Sequence, residues 1–451
     1  MNARPARQLP ISTKLCYGSG DIGFAVIMSA VQFWLMPFYT DVALIAPALA
    51  GTALTLTKVW DAVNDPLFGW VADKTTSRRF GRRRVYLICG AIPFGLSIML
   101  LWVMPPGLPA WGACAWILLT FIVYDTLFTV TSVPYYALTA ELTDDYDERS
   151  GLTAFRMSMS VPAYILGAAL TPALVGLFAG KRAGYAAVGI SYGLIAAAGL
   201  LVCAFGIREN PAARAKPSSA SPLRMYLDTF RNRPFVILIA AYTIVNTAFA
   251  LVKTLLAYFL TYQLDMERQQ FMVMGLMLVA VAVSLFPWKV LSEKWNKGPA
   301  YALGVFIGGC AVAATFLLPH KPTGWVYVIA VAAGFGFSVN WVFPWSMVPD
   351  VVEYDRLKTG ETRSGIYFGV WGFMFKLSEV LGLAVTGWVL QLFGYRPNVE
   401  QSADTLLGIR LFVGPIPFVL FLIALPLLVW YPVTRRRHAV IRRRLARRSD
   451  A

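Results

Sequence analysis

Charge is scarce in this sequence. Only 14% of its 451 residues are Asp, Glu, Lys or Arg, against 57% hydrophobic, and the mean hydropathy is +0.60. A soluble globular protein of this length needs a far more polar surface, so the bilayer must be the solvent. Histidine is scarcer still, with only His320, in an expected outer loop, and His438, in the basic tail. That leaves no intramembrane Ser-His-Asp set and no histidine-based metal site, so an intramembrane acyl or glycosyl transferase lacks the base it requires. The five cysteines (Cys16, Cys89, Cys114, Cys203, Cys310) lie singly in apolar segments without metal-like spacing and read as small core residues. Neither enzymatic activity nor a bound cofactor is expected.

What the chain has instead is apolar runs of about 20 residues, recurring from end to end, each the length of a membrane-spanning helix. They fall near 15–40, 48–71, 85–104, 110–138, 152–178, 185–207, 235–262, 271–288, 300–318, 325–348, 366–393 and 406–431. The first, after a short basic N-terminus and with no small-residue cleavage site, reads as a span and not as a removed signal peptide. The net charge of +16 is laid out on one side: of 40 Lys and Arg, 30 lie in segments alternately assigned inward and five in those assigned outward. This positive-inside pattern predicts a multi-pass protein of the cell inner membrane with both termini cytoplasmic. It explains the basicity without nucleic acid as a partner. Residues 208–234, rich in Pro, Ser, Ala and Arg, read as a cytoplasmic linker. They divide an N-terminal six-helix half (1–207) from a C-terminal one (235–433), which is followed by a basic tail (434–451).

The halves echo each other. At the end of the fourth span comes Val133-Pro134-Tyr135, then an acidic loop ELTDDYDE, Arg149-Ser150-Gly151 and Arg156; at the end of the tenth comes Phe343-Pro344-Trp345, then an acidic loop DVVEYD, Arg363-Ser364-Gly365 and Lys376. The same order at equivalent places predicts a parallel internal repeat of the major facilitator type. The loop after the second span carries Asp73, Arg78, Gly81 and Arg82, a degenerate glycine, aspartate and basic-cluster loop. It serves as a gating element, as an anchor to anionic membrane lipids, or as both.

Ionisable residues inside spans are costly, at roughly 2.5–3.5 kcal/mol each near mid-bilayer, and persist when paired, hydrated or functional. Lys58, Asp61, Asn64 and Asp65 lie one turn apart on one face of the second span. Two carboxylates so placed repel when both are ionised, so one takes a proton or a cation sits between them. Their oxygen-rich donor set suits Na⁺, and protonation of one acid would make it an H⁺ site. The alternative is a Lys58–Asp61 bridge with Asp65 capping a neighbouring backbone. Asp21 in the first span and Asp125 in the fourth either line a cavity or bond a nearby Ser or Tyr. Asp125, Thr129 and Ser132 form a stripe ending near Pro134 and Tyr136. Arg156, Lys253 and the i,i+3 pair Lys376 and Glu379 complete the set as recognition groups for an anionic or polyhydroxyl substrate or as counter-charges.

The residues KLCYGSGDIG, FYTDV, KVWDAVNDPLFGW, VPYYAL and PWSMVPDVVEYD, spread over nearly the whole chain, resemble the glycoside-pentoside-hexuronide:cation symporters of the major facilitator superfamily. The resemblance implies an all-α membrane protein with twelve transmembrane helices in two six-helix halves, importing a sugar or glycoside with Na⁺, H⁺ or Li⁺ by alternating access. The family's cation site falls on Asp61, Asn64, Asp65 and Thr129, and its intramembrane cations on Arg156 and Lys376. The sugar site departs from the family: a first-span Lys-Asp pair is replaced by Phe24-Ala25, and fourth-span contacts become Phe128, Ser132 and Tyr136. Asp21, one turn before Ala25, is placed to substitute for the missing acid. PWSMVPDV and FKLSEV also resemble animal lysophosphatidylcholine symporters, which implies a lysolipid-like amphiphile as the alternative substrate.

Overall fold

The computed structural model describes residues 9–75, 80–142, 146–208, 229–360 and 364–449, and every regular element among them is helical. Some helical side chains are outside that description, among them Lys58, Asp65 and Asp73, as is the whole of Arg78 and most of the expected 208–234 linker. The chain forms two compact units, Met1–Pro217 and Ser218–Ala451.

The first unit holds α1 (Ile11–Pro37), α2 (Pro47–Lys74), α3 (Arg84–Leu101), α4 (Ala110–Leu142), α5 (Tyr146–Gly176) and α6 (Lys181–Gly206). The second holds α7 (Arg233–Tyr258), α8 (Gln270–Lys294), α9 (Lys297–Ala314), α10 (Trp325–Phe337), α11 (Val339–Thr359), α12 (Ser364–Leu392), α13 (Ala403–Val413), α14 (Pro415–Val429) and α15 (Arg435–Ser449). Helices α10 and α11 run on as one apolar stretch, Trp325–Thr359, and α13 with α14 as another, Ala403–Val429. Among the described residues, eleven stretches are long and apolar enough to cross a membrane. The expected second span, α2, has 28 residues, and several of its side chains lie outside the described residues.

Both units are wired alike. In the first, α1 packs on α5 and α6, α3 on α4 and α6, and α2 on α4. In the second, α7 packs on α12 and α14, α9 on α10 and α14, and α8 on α10. Counting spans, each contact in one half has its counterpart six spans later, which is the parallel repeat expected from the short motifs. Local details repeat too. α1 ends in a π-turn, Phe38–Val42 (FYTDV), and α7 in another, Phe259–Gln263 (FLTYQ). Trp60 Nε1 on α2 donates to Thr126 Oγ1 on α4 at 2.8 Å, and Trp288 Nε1 on α8 donates to the Phe335 carbonyl on α10 at 2.9 Å.

Two glycines allow close approaches at equivalent crossings. A Cβ on Gly167 of α5 would collide with the Val26 carbonyl of α1, and one on Gly382 of α12 would collide with Ala250 of α7. Small residues at such crossings let membrane helices touch backbone to backbone, where dispersion replaces the missing hydrophobic drive. The acidic segment Asp350–Asp355, expected as a loop, is instead helical, because α11 continues to Thr359 and closes on Gly360 with φ +78°, the left-handed cap glycine adopts without strain. The tail is also helical: α15 packs on α11, and Ile441 joins the buried apolar cluster of the second unit.

Candidate functional site

The α2–α4 contact brings together most of the polar residues expected to hold a cation. Asp61 and Asn64 of α2 and Asp125 and Thr129 of α4 are all buried, Asn64 completely. Asn64 Nδ2 donates to the Asp125 carbonyl at 3.3 Å and to its carboxylate Oδ2 at 3.4 Å. Asn64 Oδ1 is buried without a hydrogen-bond partner among the described residues. An orphaned amide oxygen is costly in an apolar interior, and a hard cation or its water is what such an oxygen satisfies. Two carboxylates, a hydroxyl and this carbonyl are the donor types a Na⁺ ion takes, so the described residues fit the group. Asp125 therefore stands with Asn64 across the α2–α4 contact. The side chains of Asp65 and Lys58 lie outside the described residues.

A second cluster joins α1, α4 and α5. Tyr136 Oη donates to Asp21 Oδ1 at 3.2 Å, Arg156 Nε lies 3.8 Å from Asp21 Oδ2, and the guanidinium carbon sits 4.9 Å from the centre of the Tyr136 ring. Arg156 is thus held by charge and by a π face, while its buried Nε makes no hydrogen bond. Next to it Tyr135 donates to the Tyr17 carbonyl at 2.7 Å and stacks on Tyr17. Phe24 is surrounded by rings: Phe94, Phe128, Tyr135 and Tyr136 lie 5.2–6.1 Å from it. Ser132 is buried on the same α4 stripe. Of the expected substrate residues, Asp21, Tyr136 and Arg156 meet directly, and Phe128 joins through Phe24.

The second unit corrects one pairing and adds residues that sequence reasoning passed over. Glu379 pairs with Lys253 across the α7–α12 contact, Nζ to Oε1 at 2.6 Å, and not with Lys376 one turn away on its own helix. The facing helix offers a straight approach, whereas an i,i+3 pair must bend two long side chains along one surface. Asn246 Nδ2 also donates to Glu379 Oε1 at 3.2 Å, Asn340 Nδ2 to Asn246 Oδ1 at 3.3 Å, and Tyr301 Oη to Asn340 Oδ1 at 2.6 Å. Single asparagines within the apolar runs TIVNTAF and FSVNWVF were the available signal. Lys376 is partly buried on the same face of α12 as Glu379.

In the loop after α2, Gly81 has φ +89°, a left-handed conformation that favours glycine, and Arg82 follows it. Arg84 Nε donates to the Ala204 carbonyl at 2.6 Å, fastening the start of α3 to the end of α6.

Residues 16–435 match the family described as MFS/sugar transport protein. The chain is 29% identical to the uncharacterized symporter sll1374 of Synechocystis, over 99% of this chain and 98% of that one. It is 27% identical to the putative glycoside/cation symporter YagG of Escherichia coli K12 (98% and 96% covered). It is 26% identical to the sodium-dependent lysophosphatidylcholine symporter 1-A of Danio rerio (96% and 87%). In fold it resembles a bacterial homologue of the human lysosomal transporter Spinster, with a TM-score of 0.68 at 14% identity over 93% of this chain and 95% of that one. The family match over nearly the full length, on a helical repeat of this design, means that the chain belongs to the MFS/sugar transport protein family and is a multi-pass membrane symporter of the major facilitator superfamily.

Proposed function

We propose that the chain carries a glycoside or related sugar together with Na⁺ or H⁺, with Asp61, Asn64, Asp65 and Thr129 as the coupling site and Asp21, Tyr136 and Arg156 among the substrate contacts. The observation that carries this reading is the fully buried Asn64, held through its Nδ2 by Asp125 while its Oδ1 has no hydrogen-bond partner among the described residues. Helix α4 supplies the coupling. Asp125, Thr129, Ser132 and Tyr136 succeed one another along it, from the cation cluster to the cluster that holds Arg156. Eleven residues of helix separate the ends, about 16 Å. A cation that neutralises the acids of α2 and α4 fixes α4 and with it the orientation of Tyr136, so that the loaded carrier moves and the half-loaded one is disfavoured.

A specific observation favours a second substrate, a lysophospholipid-like amphiphile: the ring cluster around Phe24 lies beside Arg156, an apolar surface next to a cation. The lysophosphatidylcholine symporter among the relatives supports the same alternative. The chain acts as a carrier and not as an enzyme, and the charge asymmetry supports an inner-membrane location with cytoplasmic termini. Uptake into proteoliposomes under imposed Na⁺ or H⁺ gradients, with nitrophenyl glycosides set against lysolipids, tests both substrate and ion. Gradient-driven glycoside uptake is expected. Lysolipid uptake alone would select the second substrate, and absence of both would overturn the carrier reading.

A further inference from the structure

The second unit holds an ion pair that its repeat partner does without. Gln32 and Lys253 each precede their unit's π-turn by six positions, so they are equivalent in the repeat. At that depth the first unit ties α1 to α5 with a neutral hydrogen bond, Tyr164 Oη to Gln32 Oε1. Counted from the two RSG motifs, Tyr164 corresponds to Ser378, the neighbour of Glu379. The second unit ties the same helices with Lys253 and Glu379. A neutral tie therefore suffices to hold this crossing. Buried charge pairs seldom stabilise more than the apolar residues that could replace them, so the ionic version calls for another reason.

Its geometry supplies one. Three successive donors, Tyr301, Asn340 and Asn246, all point toward Glu379, and the last meets Oε1 together with Lys253. Such a chain polarises in one direction and favours the ionised carboxylate. Glu379 Oε2, by contrast, accepts no hydrogen bond from any described residue, and the two side chains keep 15% (Lys253) and 13% (Glu379) of their surface accessible, whereas Asn246 and Tyr301 are sealed. One oxygen is anchored and the other is reachable, beside an ammonium that has three donors. A reachable acceptor next to a fixed donor matches two neighbouring ring hydroxyls, one donating to Oε2 and the next accepting from Nζ. Resting on the glycoside reading above, we propose that Lys253 and Glu379, seated by Asn246, form a hydroxyl-recognising subsite for the sugar ring in the C-terminal unit.

The test uses the full chain in proteoliposomes with a panel of nitrophenyl hexosides, pentosides and hexuronides and, for any sugar carried, its mono-deoxy analogues. Because a single substitution leaves a buried charge unpaired, the main variant is the neutral double Lys253→Gln/Glu379→Gln, with Glu379→Gln alone beside it. The double variant is expected to keep its thermal midpoint and its ²²Na⁺ or proton binding while losing at least about tenfold in affinity for the parent sugar, the scale of a lost charged hydrogen bond. That loss should vanish for one deoxy analogue, which a merely structural role would not produce. Unchanged affinity in the double variant, or equal loss for every analogue together with a fallen midpoint, overturns the subsite while wild-type glycoside uptake keeps the broader reading intact. If the wild type carries no member of the panel, the glycoside reading fails and the subsite falls with it.

Discussion

The two halves share one framework and distribute charge over it differently. At the crossing of the first and fifth helices, the N-terminal unit places its ion pair, Asp21 with Arg156, 17 positions before the π-turn, as counted at Asp21. The C-terminal unit puts Tyr242 at the position matching Asp21, packed on Trp371 with ring centroids 3.9 Å apart next to Val370, the counterpart of Arg156, and sets its pair, Lys253 with Glu379, six positions before its own turn. The depths differ by about 16 Å of helix, and the polarity is exchanged: acid then base in one half, base then acid in the other. A common wiring thus fixes where helices touch, while each half decides independently which touching point is ionic. Packing is inherited from the repeat, and chemistry is written separately onto each copy.

The comparison can be broken first at the proposed coupling site of the N-terminal unit. Asp65→Asn should abolish cation-dependent uptake, a loss of about 100-fold or more in vesicles, and unchanged coupled uptake would remove the carboxylates from that role. The shared framework comes next. Gly167→Val and Gly382→Val should each destabilise by about 2–4 kcal/mol, because either side chain meets the main chain of the first helix of its half. A thermal midpoint that falls for one and not for the other would show that the two crossings are not equivalent. A smaller effect separates substrate from ion: Arg156→Ala should weaken substrate binding about tenfold while leaving cation binding within about twofold, and equal loss of both would make the residue structural. The smallest concerns a device of the C-terminal unit. His438 of α15 reaches Glu353 at 2.8 Å and Asp350 at 3.5 Å on α11, and Lys297 holds Asp350 at 2.6 Å. His438 and Glu353 are partly exposed, so His438→Ala should cost no more than about 1 kcal/mol by thermal unfolding with uptake preserved.

Much of this was legible in the linear chain. Apolar runs of bilayer length gave the helices, one-sided Lys and Arg gave an expected orientation, and i,i+3 and i,i+4 spacing placed Asp61, Asn64 and Asp65 on one face before any contact was known. Those signals are local: each is set by the solvent around a single helix and by its 3.6-residue period. The pairing of Glu379 was not local. Spacing alone pointed to Lys376 on the same helix, and only the crossing of α7 with α12 brought Lys253 to its carboxylate. Likewise Asn246, Asn340 and Tyr301 are unremarked polar letters until three helices converge on them. The sequence by itself determined that charges had to be hidden between helices, because hydrocarbon will not solvate them. Which charge meets which was decided by tertiary structure, because helix crossings, unlike helix periods, depend on residues more than a hundred positions apart.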